Sequence, residues 1–112
     1  MLEALISTPS VSSVDKSLDQ GNIAVIEHLA GWLNDSDFKV EITPKTEDRK
    51  KAKMIATLGS GTGGLVLSGH TDTVPYDEGK WKHDPFSLTR ADQRLYGLGT
   101  SDMKAFLALA ID

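Results

Sequence analysis

The segment LVLSGHTDTVP, residues 65–75, decides the predicted fold, because it joins an apolar run to a histidine and an aspartate. A second segment, GLGTSDMK at residues 97–104, follows Arg94-Leu95-Tyr96 and carries Asp102. Open α/β sheets bind their ligands at the carboxyl ends of parallel strands. We therefore expect an α/β fold with a mainly parallel sheet that brings His70 and Asp102 to one sheet edge.

Hydrophobic periodicity predicts the elements around these two segments. Helical spacing of apolar residues predicts helices at Leu2 to Ile6, Asp19 to Asn34 and Met103 to Ile111. Apolar runs predict strands at Phe38 to Ile42, Met54 to Leu58 and Leu65 to Ser68, and a hairpin that pairs Phe86-Ser87-Leu88 with Arg94-Leu95-Tyr96. The helix from Met103 is apolar nearly all round, so we expect it to be buried.

Composition excludes several classes of function. A net charge of -4 and a pI near 5.3 argue against nucleic acid or an anionic membrane as a partner. The basic cluster at residues 49–53 has no aromatic neighbours and is typical of a solvated loop. The chain has no cysteine, so thiolate ligands and disulfides are absent. No window approaches ~18 consecutive apolar residues, and we expect a cytoplasmic protein.

The spacing of the polar residues favours a metal site. His70 and Asp72 are two residues apart, so in an extended segment their side chains lie on the same face. Asp72 can then accept a hydrogen bond from the imidazole nitrogen that does not bind metal. A histidine nitrogen and the carboxylate of Asp102 suit zinc. Spacing alone leaves an alternative open, in which His70 is a core histidine and Asp102 caps the helix that follows.

Other motifs have simpler interpretations. Gly59, Gly61 and Gly64 satisfy the pattern GxGxxG, but a strand-like run follows where a dinucleotide site requires a helix. We interpret this glycine-rich stretch as a turn. No Gly-x-Ser-x-Gly motif presents a serine nucleophile. We interpret His28 and His83 as surface residues. Trp81 and Phe86 are interpreted as aromatic side chains that anchor a loop or the core.

The amino-acid sequence as a whole resembles those of the dinuclear-zinc deacylases and aminopeptidases. The matching stretches are Gly69 to Pro75, Trp81 with Asp84-Pro85-Phe86, and Leu95 to Lys104. Within that family, Thr73, the Asp84-Pro85-Phe86 run and Leu98 are most similar to the enzymes that deacetylate N-acetyl-L-ornithine in arginine biosynthesis. The resemblance covers essentially all 112 residues.

This resemblance implies a site with two zinc ions, which cobalt can replace. It implies that His70 is a terminal ligand to one ion, that Asp102 bridges both ions, and that Asp72 is the catalytic aspartate that orients His70. It further implies a cis peptide bond after Asp102, an N-acylated amino acid as substrate, and a homodimer as the full-length protein.

The resemblance also implies an incomplete site. The family's glutamate pair, its second histidine ligand and its lid and dimerisation domain have no counterpart in these residues. We therefore expect residues 1–112 to be the N-terminal portion of the catalytic domain, an incomplete α/β/α sandwich that alone binds zinc poorly and hydrolyses nothing. The alternatives are a non-catalytic fragment that binds metal weakly or self-associates, and a related deacylase such as one acting on succinyl-diaminopimelate.

Overall fold

The computed structural model describes all 112 residues and contains three α-helices. These are α1 (Leu2–Ile6), α2 (Ile23–Asp35) and α3 (Lys104–Ile111). Each was predicted, but α2 begins at Ile23 rather than at Asp19. The preceding residues form a closed loop instead, in which the Gln20 amide donates to the carbonyl of Val11 at 2.7 Å. None of the helices has the length and apolar character needed to cross a membrane.

Four short strands form two separate antiparallel pairs. In the first pair, β1 (Lys39–Pro44) lies beside β2 (Ala52–Thr57), with Val40 opposite Ala56 and Ile42 opposite Met54. In the second pair, β3 (Thr89–Ala91) lies beside β4 (Arg94–Tyr96). The α/β class is therefore confirmed at the level of a small fold with helices and antiparallel strand pairs.

The predicted mainly parallel sheet is wrong for this chain. Leu65 to Ser68 belongs to no strand, and the side chains of Leu65 and Val66 are 84% and 87% exposed. Parallel neighbours require a long crossover connection, whereas the strands described here are joined by short loops that return the chain antiparallel. The single parallel contact is an isolated bridge between Val11 and Thr73.

The second hairpin begins at Thr89 rather than at Phe86. The carboxylate of Asp84 accepts a hydrogen bond from the Phe86 amide at 2.8 Å, and the Ser87 amide donates to the carbonyl of Asp84 at 3.1 Å. These bonds form a turn over the residues predicted to be strand. The hairpin loop consists of Asp92 and Gln93, whose φ angles of 49° and 57° match a two-residue turn of the kind that fits strand twist.

The hydrophobic core lies where the three helices meet. It consists of Leu5, Val25, Leu29 and Ala108, with partly buried neighbours packed around them. α1 packs against both α2 and α3, and α2 covers one face of the β1–β2 pair. The prediction that α3 is buried holds for one face of the helix only. Only Lys104 and Ala108 are buried in that helix, and Leu109 is 78% exposed, because α1 contacts a single face of it.

We expect acid to destabilise the chain partly through Asp19. Its carboxylate accepts hydrogen bonds from Lys51 Nζ at 2.7 Å and the Ser13 amide at 2.8 Å, and these bonds lower its pKa below 3.8. In the folded chain Asp19 therefore binds fewer protons than in the unfolded chain once the pH drops below about 4, so the free energy of unfolding decreases there. Above about pH 4 the stabilisation from the ionised group is complete.

The variant Asp19→Asn tests this expectation. Urea unfolding at about pH 5 and about pH 3 should show a smaller acid-induced loss for the variant than for the unchanged chain. Equal losses in the two proteins would contradict a role for Asp19 in acid stability.

Candidate metal centre

His70 and Asp72 lie in an extended segment that leads away from the apolar run, and Asp102 lies in the loop before α3. The backbone amide of His70 contacts the sulfur of Met103 at 3.4 Å, which brings the two segments together. The peptide bond between Asp102 and Met103 is cis, as the resemblance implies. His70, Asp72 and Asp102 therefore lie close together, although they are not at the edge of a parallel sheet.

The imidazole of His70 lies between the two aspartates. Its Nε2 atom is 2.9 Å from Oδ1 of Asp102. Its Nδ1 atom is 3.0 Å from the backbone carbonyl oxygen of Asp72 and 3.4 Å from Oδ1 of the same residue. The sequence predicted that Asp72 orients the ring through its carboxylate, whereas here the shorter contact is made by its carbonyl.

These distances suit a shared divalent cation. Nε2 and the Asp102 carboxylate are at a hydrogen-bond distance of 2.9 Å, whereas two ligand atoms at the usual zinc distances of about 2.0–2.2 Å stand about 3.3 Å apart in a tetrahedral site, so a separation about 0.4 Å larger would accommodate the ion. An imidazole nitrogen and a carboxylate oxygen are both ordinary zinc ligands. No group of three histidine, cysteine, aspartate or glutamate side chains converges on one point in the chain, so the residues present fit two positions of a larger ligand set.

The surroundings of His70 are negatively charged. Partial burial favours the neutral ring, but the hydrogen bond with Asp102, the carbonyl of Asp72 and the charges of both aspartates together raise the pKa of His70 above 6.5. The side chains of His70, Asp72 and Asp102 are 46%, 50% and 81% exposed. An accessible pocket of negative charge next to a histidine nitrogen attracts a cation.

The structure contradicts both parts of the alternative interpretation. His70 is half-exposed and is no core residue. The N-cap residue of α3 is Met103, and no side chain makes a capping hydrogen bond there, so Asp102 does not cap the helix. The Asp102 carboxylate instead faces the histidine ring and solvent.

A shallow cleft adjoins the three residues. Its walls include Trp81 and the loop from Gly97 to Asp102. Gly99 has a φ of 94°, and a Cβ atom there would lie 3.0 Å from Cδ of Lys104, so only glycine suits this position. The loop can therefore pack closely on the start of α3 next to the candidate metal ligands.

The other sequence candidates lie away from the metal centre or support loops. His28 stacks on Trp32 of α2 at a ring distance of 5.7 Å, and His83 lies 5.2 Å from the ring of Tyr96. The ring of Tyr76 is edge-on to those of Trp81 and Phe86, which fits their prediction as loop anchors. The glycine-rich stretch at residues 59–64 opens no helix, so a dinucleotide site is not formed.

Lys104 is a buried charged residue that the sequence analysis did not select as a functional candidate. Its side chain is fully buried, and Nζ donates hydrogen bonds to the carbonyls of Leu5 at 2.8 Å and Thr8 at 2.7 Å. Burial lowers the pKa of Lys104 to about 8. A lysine at the start of a helix is normally solvated, so nothing local distinguished it.

The comparisons with known proteins agree with the geometry. Residues 66–112 match the sequence model of peptidase family M20/M25/M40. The acetylornithine deacetylases of Salmonella paratyphi B and Salmonella newport are each 55% identical to this chain over 109 residues, or 97% of the chain. The matched residues are 28% of each relative, so the chain spans less than a third of their length.

A solved structure is also similar. The crystal structure of human carnosine dipeptidase 1 matches 98% of this chain and 27% of its own length, with a TM-score of 0.61 and 28% sequence identity. The sequence match and the structural match cover the segments that carry His70, Asp72 and Asp102. The resemblance predicted from the sequence is confirmed, since the second half of the chain is similar to peptidase family M20/M25/M40 and almost the whole chain is similar to acetylornithine deacetylases.

Proposed function

We propose that this chain forms the N-terminal portion of the catalytic domain of a two-zinc amide hydrolase. The reaction is removal of the acetyl group from N-acetyl-L-ornithine, a step of arginine biosynthesis. One observation carries the proposal: Nε2 of His70 and Oδ1 of Asp102 face each other at 2.9 Å. The identity of 55% to acetylornithine deacetylases supports the choice of substrate.

His70 and Asp102 would hold the metal, His70 as a terminal ligand and Asp102 as the carboxylate shared by two ions. When bound, the metal would polarise the acetyl carbonyl and make water a stronger nucleophile at neutral pH. The contribution of Asp72 is orientation. Its carbonyl lies 3.0 Å from Nδ1 of His70, and a proton held on Nδ1 by this carbonyl would leave the lone pair of Nε2 free to bind the metal.

The remaining ligands and the general base are proposed to come from residues outside this sequence, as the resemblance implies. Two protein ligands are fewer than the three usual in catalytic zinc sites. The chain alone is therefore proposed to bind zinc weakly and to lack turnover. A homodimer is proposed for the complete enzyme on the basis of the resemblance.

A chimera tests this function. The segment of the Salmonella paratyphi B deacetylase that this chain matches is replaced by the chain, so that the relative supplies the missing groups. We expect the chimera to release acetate from N-acetyl-L-ornithine, to lose this activity on chelation and to regain it with zinc. A folded chimera that binds zinc without deacetylating this substrate would contradict the proposed function.

We expect Asp72→Ala to lower turnover of the chimera by about tenfold, the lower end of the range for residues that orient a metal-bound histidine. The effect is limited because the variant keeps the backbone carbonyl that binds Nδ1. Circular dichroism and steady-state kinetics measure fold and turnover together. Asp35→Ala, at the exposed end of α2, is the matched control. Unchanged turnover in Asp72→Ala would remove the orienting role.

A further inference from the structure

The residue between His70 and Asp72 is anchored on both its backbone and its side chain. The hydroxyl of Ser10 donates to the carbonyl of Thr71 at 2.7 Å. The side-chain amide of Asn22 donates to the hydroxyl of Thr71 at 2.8 Å. Both donors come from segments far away in the sequence. Thr71 is therefore one of the points at which the metal-binding segment is attached to the rest of the chain.

These anchors are themselves firmly held. Ser10 is 1% exposed, and its carbonyl accepts the Thr73 amide at 3.0 Å. The side chain of Asn22 also exchanges two hydrogen bonds with the backbone of Ala52 at the start of β2, each 2.9 Å long. The Thr71 contacts thus connect the segment to α2 and to the first strand pair.

The other backbone attachments of the segment are two bonds of Thr73, to the carbonyl of Ser10 and from the amide of Ser12, and the contact of the His70 amide with the sulfur of Met103. The backbone from Leu65 to Asp72 belongs to no strand, so no ladder of hydrogen bonds fixes it. Because side chains alternate along an extended chain, Thr71 lies on the face opposite to His70 and Asp72. A bond that fixes Thr71 therefore fixes the direction of its two neighbours without occupying the space of the metal.

We propose that Ser10 is a positioning residue for the pair His70 and Asp72, acting through the carbonyl of Thr71, with Asn22 as a second anchor. The inference rests on the proposed function, since it assigns Ser10 a role in metal binding. Without the hydroxyl, the carbonyl of Thr71 loses its partner and the segment samples orientations in which Nε2 and the Asp102 carboxylate no longer converge. Preorganisation of the ligands is lost, while the ligands themselves remain.

Zinc titration of the 112-residue chain, followed by NMR of the histidine ring protons, tests the proposal. The chain has three histidines, and His70→Ala identifies the signal of His70. We expect Ser10→Ala to raise the zinc concentration at half-change of the His70 signal by about three- to tenfold, the effect of losing one buried hydrogen bond. Ser7→Ala is the matched control, because it removes an exposed hydroxyl-to-carbonyl bond of 3.2 Å at the end of α1.

A variant in the hydrophobic core distinguishes a positioning role of Ser10 from a role in stability alone. Ile26→Val removes part of a buried side chain but none of the hydrogen bonds to Thr71, and urea unfolding measures its loss of stability beside that of Ser10→Ala. We expect the zinc midpoint of Ile26→Val to stay at the value of the unchanged chain. Equal zinc midpoints in the unchanged chain and Ser10→Ala overturn the proposal, as does a shift in Ile26→Val as large as that in Ser10→Ala.

Two further outcomes are distinguishable. If Ser10→Ala does not fold, Thr71→Val decides, because it removes only the hydroxyl that binds Asn22: a raised zinc midpoint supports the anchor and an unchanged midpoint overturns it. If the His70 signal of the folded, unchanged chain does not respond to zinc at all, the proposed metal centre fails, and the positioning role fails with it. An unchanged midpoint in the variants alone leaves the proposed function intact.

Discussion

Asp102→Ala is expected to lower deacetylation by the chimera at least about 10³-fold, because it removes the carboxylate proposed to be shared by both metal ions. Metal ions stabilise the charge that develops in the transition state by several kcal/mol, and this stabilisation is lost when the pair is no longer held. The effect should appear in kcat, with the zinc content of the purified protein falling in parallel. Steady-state kinetics with N-acetyl-L-ornithine and metal analysis measure both quantities.

The control for this variant is Glu27→Ala, which removes an exposed carboxylate on α2 away from the site. It should leave turnover and zinc content unchanged. Because Asp102 makes no capping bond to α3, helix content should be the same in Asp102→Ala and in the unchanged chimera. An Asp102→Ala chimera that retains more than about a tenth of the activity would contradict the assignment of Asp102 as a shared ligand.

Lys104→Met is expected to lower the free energy of unfolding of the chain by about 2–4 kcal/mol. The variant keeps most of the buried aliphatic stem but leaves the carbonyls of Leu5 and Thr8 without the donor that binds them at 2.8 and 2.7 Å. Relief of burying the ammonium group, whose pKa is lowered to about 8, offsets part of this loss. The loss prevails because the buried carbonyl of Leu5 and the partly buried carbonyl of Thr8 remain without this donor.

Urea unfolding compares Lys104→Met with Lys45→Met, which changes an exposed lysine in the loop after β1. The control should differ from the unchanged chain by less than about 0.5 kcal/mol. Nζ of Lys104 connects the start of α3 to the end of α1. The difference in the free energy of unfolding between the two variants therefore measures how much this contact stabilises the fold. Equal stabilities would show that the contact contributes nothing to the fold.

The candidate site was predictable because its signals are local. A spacing of two residues places His70 and Asp72 on one face of any extended segment, whatever lies around it. The position of Asp102 after a glycine-containing loop already made it a candidate ligand, and its carboxylate lies 2.9 Å from Nε2 of His70. The resemblance added the cis bond that follows Asp102, and the bond is cis. The helices were predictable for the same reason, since the apolar spacing of α2 describes the face that packs in the core.

The order of the strands depended on contacts that no local pattern contains. Leu65 to Leu67 reads as a buried strand, yet a strand forms only where a neighbour offers hydrogen bonds, and here none lies beside it. The turn at Asp84 shifted the second hairpin because a side-chain bond competed successfully with strand pairing.

The amino-acid sequence by itself determined the residue types that can bind a metal, the family resemblance and the helical segments, because these follow from neighbours close along the chain. Only the tertiary structure decided that Ser10 binds Thr71 and that Lys104 binds Leu5 and Thr8. These partners lie 61 to 99 residues apart in the chain. Neither Ser10 nor Lys104 is distinguished by its neighbours in the sequence. Each acquires its role because folding places it next to carbonyl groups, and buried polar groups require hydrogen-bond partners.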